Sequence, residues 1–352
     1  MKLAITMLGN SKAGKTCYLY AMANMMARPQ NGFTFIPESH RDSLMLLKEW
    51  RDMQHQEENG KIVKRGEWPI GTVESCDINF HLMWNSKLLA TFTWHDYRGG
   101  LLETVSDEAQ WNALEDKINS SSCIIVCIAA EVLQGYLKND LDSEGILTNY
   151  AQIIQRYKIK SGKTVPIVFN ILKADKLREG EFTAGIEKLK ENIFSVFFHR
   201  EVGNGWALMF VGSSLGTFDE TEEQFNPETK RGYVFGKFAP VNVQLSVFFA
   251  IRCGLISKLK TASDKVNELN RRYDSKSSEL DRELARSRWS KFWKGSNEGS
   301  IRWSLKDIRS DLELENDEVA KLKSDLALID KGLFDNEPDA VQVYFNGEKI
   351  EV

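Results

Sequence analysis

Residues Gly9-Asn10-Ser11-Lys12-Ala13-Gly14-Lys15-Thr16 set two glycines, a lysine and a threonine at the spacing G-x-x-x-x-G-K-[ST]. Each fixed position has a chemical reason. Glycines let successive backbone N–H groups curl around an anion, Lys15 reaches the outer oxygens of a polyphosphate, and the Thr16 hydroxyl suits Mg²⁺. Asn10, Ser11, Lys12 and Ala13 within the loop, and Cys17 just after it, offer amides to the same cradle. The bland alternative is a glycine-rich turn without a ligand. Against it, the segment follows the apolar run from Leu3 to Leu8 and opens a helical pattern.

Four further groups lie downstream in a fixed order. Trp68-Pro69-Ile70-Gly71-Thr72 offers a hydroxyl, Thr72, as a second candidate Mg²⁺ ligand, or else forms a Pro-Gly turn with a capping threonine. His95-Asp96-Tyr97-Arg98-Gly99-Gly100 ends a strand with a carboxylate, Asp96, suited to a metal, and with Gly99 able to bring its amide close to a terminal phosphate. Leu172-Lys173-Ala174-Asp175 follows an apolar strand and sets a cation, Lys173, and a carboxylate, Asp175, in the next turn. Gly212-Ser213-Ser214 follows the next strand, where Ser213 and Ser214 would lie in a small-residue loop.

The elements that must position these groups alternate between short β-branched runs and amphipathic ones, the pattern of a parallel α/β sheet. Strands are predicted at 3–8, 77–84, 88–95, 123–129, 165–171 and 208–212. Helices are predicted at 15–27, 40–54, 103–119, 144–157, 184–198 and 243–260. Only Asn85, Ser86 and Lys87 separate the second and third strands, a hairpin-length loop, so that pair is antiparallel.

This order of motifs resembles the Ras-like and translation-factor class of P-loop GTPases, and within it the bacterial double-GTPase families, over about residues 1–256. The resemblance implies GTP or GDP as ligand with Mg²⁺, held by Thr16, Thr72 and Asp96. It implies guanine recognition by Lys173 and Asp175 with Ser213 and Ser214 near the base oxygen, and catalytic roles for Lys15, Thr72, Arg98 and Gly99. It also implies membership of a multi-gene defence or signalling system. Two positions depart from the family pattern. Leu172 stands where an asparagine or threonine braces the phosphate loop. Gly100 stands where a glutamine orients the attacking water, which predicts slow hydrolysis aided by Arg98 or Glu103 or by an activating partner. Arg98 can equally be an exposed charge on a loop. A nucleotide-binding scaffold without turnover and a P-loop ATPase remain the competing readings.

Composition sets wider bounds. The chain has 352 residues, 42% of them apolar and 27% charged, with a net charge of -4, so a whole-surface nucleic-acid binder is disfavoured. The five cysteines show no metal-ligand spacing, which predicts reduced thiols and a cytoplasmic location. No apolar run reaches the roughly 20 residues of a bilayer span.

Beyond residue 256 the pattern becomes charged and helical. Leu255, Leu259, Ala262, Val266, Leu269, Tyr273, Lys276 and Leu280 form one seam with spacings of three and four, and Leu305, Ile308, Leu312, Glu315, Val319, Leu322, Leu326, Ile329 and Leu333 form another. Folded head to tail about Ser296, the seams set Lys276 opposite Glu315 and Leu269 opposite Leu322. The prediction is an antiparallel coiled-coil hairpin of roughly 50 Å at about 1.5 Å per residue, or alternatively two intermolecular strands. Its tip carries Trp289, Trp293, Lys294 and Trp303, with six Lys or Arg against Glu283 and Glu298. Such a tip fits a protein partner or an anionic surface, unless the tryptophans merely cap the hairpin core. The Asn346-Gly347 pair predicts a C-terminal β-hairpin. The expected organisation is a Ras-like P-loop sheet, mostly parallel with one antiparallel strand, over 1–256, the coiled-coil arm over 257–335 and the β-hairpin over 336–352.

Overall fold

The computed structural model describes residues 1–58, 61–70, 76–97, 99–102, 108–161, 165–198, 206–219, 224–285, 297–334, 340–345 and 347–350. In chain order the elements begin with β1 (Lys2–Leu8), α1 (Lys15–Met26), β2 (Phe33–Pro37), α2 (His40–Met53), β3 (Gln56–Glu58), β4 (Lys61–Lys64), β5 (Cys76–Trp84) and β6 (Lys87–Asp96). A 3₁₀ turn at Gly99–Leu102, α3 (Glu108–Ser120), β7 (Cys123–Ala129), α4 (Ala130–Leu137), α5 (Leu141–Ser161) and β8 (Ile167–Leu172) follow. The chain continues through a 3₁₀ turn at Ala174–Lys176, α6 (Glu181–Glu191), β9 (Ala207–Phe218), β10 (Gly236–Val241), α7 (Leu245–Ala285), α8 (Glu298–Phe334), β11 (Val341–Phe345) and β12 (Glu348–Ile350).

It divides into two compact units, Met1–Ile251 with Gly332–Val352, and Arg252–Lys331. The first unit is a mixed sheet in the order β12-β11-β9-β8-β7-β1-β6-β5-β2, with β10 paired to β9. Strands β9, β8, β7, β1 and β6 are parallel neighbours. Burial explains their composition: every residue of β8 and all but Ala129 in β7 are buried, so both read as continuous apolar runs rather than alternating ones. Strand β5 pairs antiparallel with β6 and alternates between exposed and buried residues, because one of its faces meets solvent. The turn between them is tighter than expected. Only Asn85 and Ser86 form it, both with positive φ (42° and 68°), the conformation that favours two-residue hairpins.

Several expectations shift. Strand β9 does not stop at Gly212 but runs on to Phe218 against β10, so Ser213 and Ser214 lie in a strand instead of a loop. Val241 faces Ser214 in that pairing, and Phe238, Lys237 and Gly236 face Gly216, Thr217 and Phe218. Helix α7 passes unbroken through residues 256 and 257, where a domain boundary was expected. The C-terminal segment is not a unit of its own, because β11 pairs antiparallel with β9 from Val341–Val211 to Phe345–Ala207 and joins the main sheet. Strand β12 pairs with β11 beyond it.

In the second unit α7 and α8 run antiparallel, tied by Arg252 Nε to Asp330 Oδ1 at 2.6 Å and by Lys265 Nζ to Glu315 Oε1. Leu255, Ala262, Leu269, Ile308, Leu322 and Ile329 are buried. The register corrects the expected one: Glu315 meets Lys265, not Lys276, whose ammonium goes to Glu279 one turn along its own helix. The offset of about eleven residues is roughly three helical turns, so it carries one apolar seam onto itself. Heptad positions alone therefore do not select between the two registers. No helix among the described residues is long and apolar enough to cross a membrane.

Candidate functional site

The five parallel strands bring their carboxyl ends to one edge of the sheet, where α/β folds place ligand chemistry. From that edge β1 releases the loop Gly9–Gly14, and its Met7 stands beside Asp96 at the end of β6. Strand β7 ends at Ala129 beside Leu172, the end of β8, and Leu172 in turn stands beside Ser213 of β9.

The loop has the backbone that an anion cradle requires. Lys12 and Gly14 both have positive φ, 61° and 96°, and Gly14 caps the N-terminus of α1 in the left-handed conformation. At Gly9 the constraint is space: a Cβ there would lie 2.8 Å from Cys127 O and 3.2 Å from Lys15 Cδ. The Lys15 side chain folds back under the loop, where its ammonium donates to Gly9 O at 2.7 Å and to Asn10 O at 2.9 Å. It is buried, and a buried cation needs such partners. Thr16 follows in the first turn of α1.

The buried carboxylate of Asp96 and the Lys15 ammonium converge on the same neighbourhood. Burial pushes the Cys127 thiol up to about 12, Lys15 pulls it down and Asp96 adds to the rise. Asp96 likewise raises the Tyr20 hydroxyl, after burial and Glu49. Tyr97 next to it is buried among the apolar residues between β7, α3 and α5, which anchors the start of the segment leading to Gly99 and Gly100. Behind Asp96, His95 Nδ1 bonds Asp77 Oδ1 at 2.6 Å, and Lys117 of α3 donates to the other Asp77 oxygen. Thr72 and Arg98 lie outside the described residues, as do Glu103, Trp289, Trp293 and Lys294. Trp303 is 68% exposed on α8, so it does not cap the core of the helix pair.

At the other end of the loop, Lys173 adopts the left-handed conformation (φ 59°) and Asp175 is exposed within the following 3₁₀ turn. Burial pushes the Cys17 thiol up to about 12, with Lys173 opposing it, which sets Lys173 near the start of α1. Leu172 is buried, and a Cβ added at Gly14 would lie 3.7 Å from its Cδ1. The leucine that departs from the family pattern thus packs against the phosphate loop instead of hydrogen-bonding it. Ser213 is buried with its hydroxyl 3.4 Å from Asn242 O, and Asn242 Nδ2 donates to Gly212 O at 3.0 Å. Only Ser214 is partly accessible there.

Trp68 leads the expected Thr72 loop and is pinned on the sheet. Its ring meets Phe218 and Phe238 edge-on, and its backbone N–H donates to Gly232 O at 2.8 Å. Glu67 beside it accepts from Asn226 Nδ2 at 2.5 Å and Thr229 Oγ1 at 2.9 Å.

Two site residues carry no motif. Tyr150 of α5 accepts the Asn10 N–H at 2.9 Å and donates to Asn10 Oδ1 at 3.0 Å. Glu131 of α4 accepts from Lys173 at 3.0 Å and from Lys176 at 2.7 Å. With Asn10–Ala13, Val132, Ile146 and Lys173, these two line one pocket beside the loop. Neither has a local signal, since each partner is fixed only when distant segments meet.

No protein-family model matches the chain, and no curated protein sequence matches it. Among solved structures it is similar to Sup35 complexed with GDP (12% identity, TM-score 0.29, 60% of this chain and 37% of that one). It is also similar to the signal recognition particle receptor SRb-GTP/SRX complex from Chaetomium thermophilum (13% identity, TM-score 0.33, 60% of this chain and 90% of that one). The chain thus spans little more than a third of the first of these.

Proposed function

We infer that the chain is a Mg²⁺-dependent GTP-binding switch with slow, partner-stimulated hydrolysis. The observation that carries this reading is the loop itself: a left-handed Gly14, a Gly9 without room for a side chain, and a buried Lys15 folded beneath it, all on the sheet edge that also holds Asp96. Lys15 would meet the phosphates, and Thr16 and Asp96 would hold Mg²⁺ with phosphate oxygens, with Thr72 added in the triphosphate state. Among the described residues no cluster of three His, Cys, Asp or Glu forms a metal cage, and Mg²⁺ bound to a nucleotide needs only one or two protein carboxylates. Lys173 and Asp175 would select guanine, Ser214 would lie closest to the base, and Arg98 and Gly99 would act on the terminal phosphate.

Gly100 lacks the side chain that positions water, so an activating partner would supply it. The helical unit, read as a coiled-coil arm, would pass the switch state along α7 to a protein partner or anionic surface met by Trp289, Trp293, Lys294 and Trp303, in the cytoplasm. The same Gly100 favours the second reading, a nucleotide-binding scaffold without turnover. Single-turnover assays separate the two: absence of phosphate release with every candidate partner selects the scaffold. Base identity is tested by competing GTP and ATP against labelled GTP on wild type, Lys15→Ala and Asp175→Ala. GTP preference in wild type, its loss in Asp175→Ala and loss of all binding in Lys15→Ala are expected. ATP competing equally with wild type overturns guanine specificity.

A further inference from the structure

Helix α4 carries two side chains, three residues apart and hence on one face, that grip the turn after β8. Glu131 takes the ammonium groups of both Lys173 (3.0 Å) and Lys176 (2.7 Å). Gln134 Nε2 donates to Lys176 O at 3.0 Å and to Glu181 Oε2 at 2.7 Å, and Glu181 in turn accepts the Arg178 N–H at 2.9 Å. Every polar contact in this chain of bonds falls on residues 173–181, the stretch that contains Asp175. Leu172, at the start of the turn, is buried and has no hydrogen-bonding side chain, and its Cδ1 comes up beside Gly14 of the phosphate loop.

We propose that Glu131 and Gln134 are positioning residues for base selection: α4 orients the Lys173–Asp175 turn in place of the polar brace that Leu172 cannot provide. The inference rests on the reading of this turn as the guanine-recognition element. A charged side chain that anchors two lysines at once restricts both the Lys173 stem and the backbone between them. The depressed carboxyl of Glu131 agrees with this: burial raises it, but the bonds from Lys176 and Lys173 outweigh burial. The contact is available at neutral pH, since Glu131 stays ionised there.

The test is equilibrium competition of GTP and ATP on the full chain, comparing wild type with Glu131→Gln, Glu131→Asp, Glu131→Gln/Gln134→Leu and Asp175→Ala. The double variant should weaken GTP about tenfold, leave ATP unchanged and so collapse the GTP:ATP ratio, with Glu131→Asp keeping part of the preference. Glu131→Gln alone changes a half-exposed side chain and serves if the double variant does not fold. A ratio that falls in Asp175→Ala but stays at the wild-type value in both Glu131→Gln and the double variant overturns the brace. Wild type that shows no preference overturns the guanine reading instead. Amide exchange over 173–181 in nucleotide-free protein then decides the brace by itself: faster exchange in Glu131→Gln supports it, and unchanged exchange overturns it.

Discussion

The hydroxyl of Tyr150 serves both polar ends of Asn10, accepting its backbone N–H at 2.9 Å and donating to its side-chain oxygen at 3.0 Å across 140 residues of chain. A single buried group on α5 thereby holds the second residue of the phosphate loop.

Tyr150→Phe keeps the ring and deletes this bond pair, leaving two Asn10 groups to find water. The expected cost is about 1–3 kcal/mol of stability. Nucleotide affinity should fall roughly five- to tenfold if the loop must be preformed to bind. Denaturant unfolding and labelled-nucleotide titration read the two effects separately, and a variant with wild-type values in both would show that the bond pair is dispensable.

Gly9→Ala and Gly14→Ala should fail for different reasons. At Gly9 the added methyl meets a backbone carbonyl at 2.8 Å, an overpacking expected to cost about 1–3 kcal/mol. At Gly14 there is room, with the nearest atom 3.7 Å away, but φ is 96°. The expected cost there is about 1–2 kcal/mol from conformation alone. Because Asn tolerates the left-handed region better than Ala, Gly14→Asn should be milder than Gly14→Ala; the same ranking at Gly9 would contradict the steric account.

Asp77 contributes a pH-dependent term. Burial raises its carboxyl, yet the bonds from Lys117 and His95 outweigh burial and hold it below the usual carboxylate range. A depressed folded-state value gives stability that is full above the unfolded value, about pH 3.9, and is lost as pH falls through the folded one. The urea midpoints of wild type and Asp77→Asn should therefore differ at pH 7 and converge in strongly acidic buffer. A gap that widens on acidification would reverse the assignment.

The arm register is open to chemical test. Cysteines placed by Lys265→Cys with Glu315→Cys should join rapidly through a short thiol cross-linker within a monomer, and Lys276→Cys with Glu315→Cys should not. Efficient linkage of the second pair would restore the register read from heptads.

What the sequence makes legible is what local spacing encodes. The phosphate loop is a contiguous string whose spacing is complete within eight residues, and the β5–β6 hairpin follows from the few residues between two apolar runs. Elements that depend on distant partners are less visible. Strand β9 runs through Ser213 and Ser214 because Leu172 of β8 pairs with the first and Val241 of β10 with the second, and two serines read locally as a loop. Strand β2 escapes detection although Phe33-Thr34-Phe35 alternates, since Pro37 closes so short a run. Tyr150, Glu131 and Gln134 look like ordinary helix residues until the turns they hold are brought against them. The register of the two long helices escapes the sequence for a different reason: a repeating seam matches itself after roughly three turns.

Strand β11 lies between β9 and β12, so the sheet takes in residues 341–345 only after both long helices have been made. The helical unit is therefore an insertion within the sheet-bearing unit, and during synthesis β9 waits with an unpaired edge while about 130 further residues leave the ribosome. At about 5–20 residues per second that interval lasts on the order of ten seconds, long enough for a nascent edge strand to recruit another chain. Pulse-labelled ribosome complexes stalled before and after residue 345 would show whether protease resistance of the sheet arrives only with its last strands.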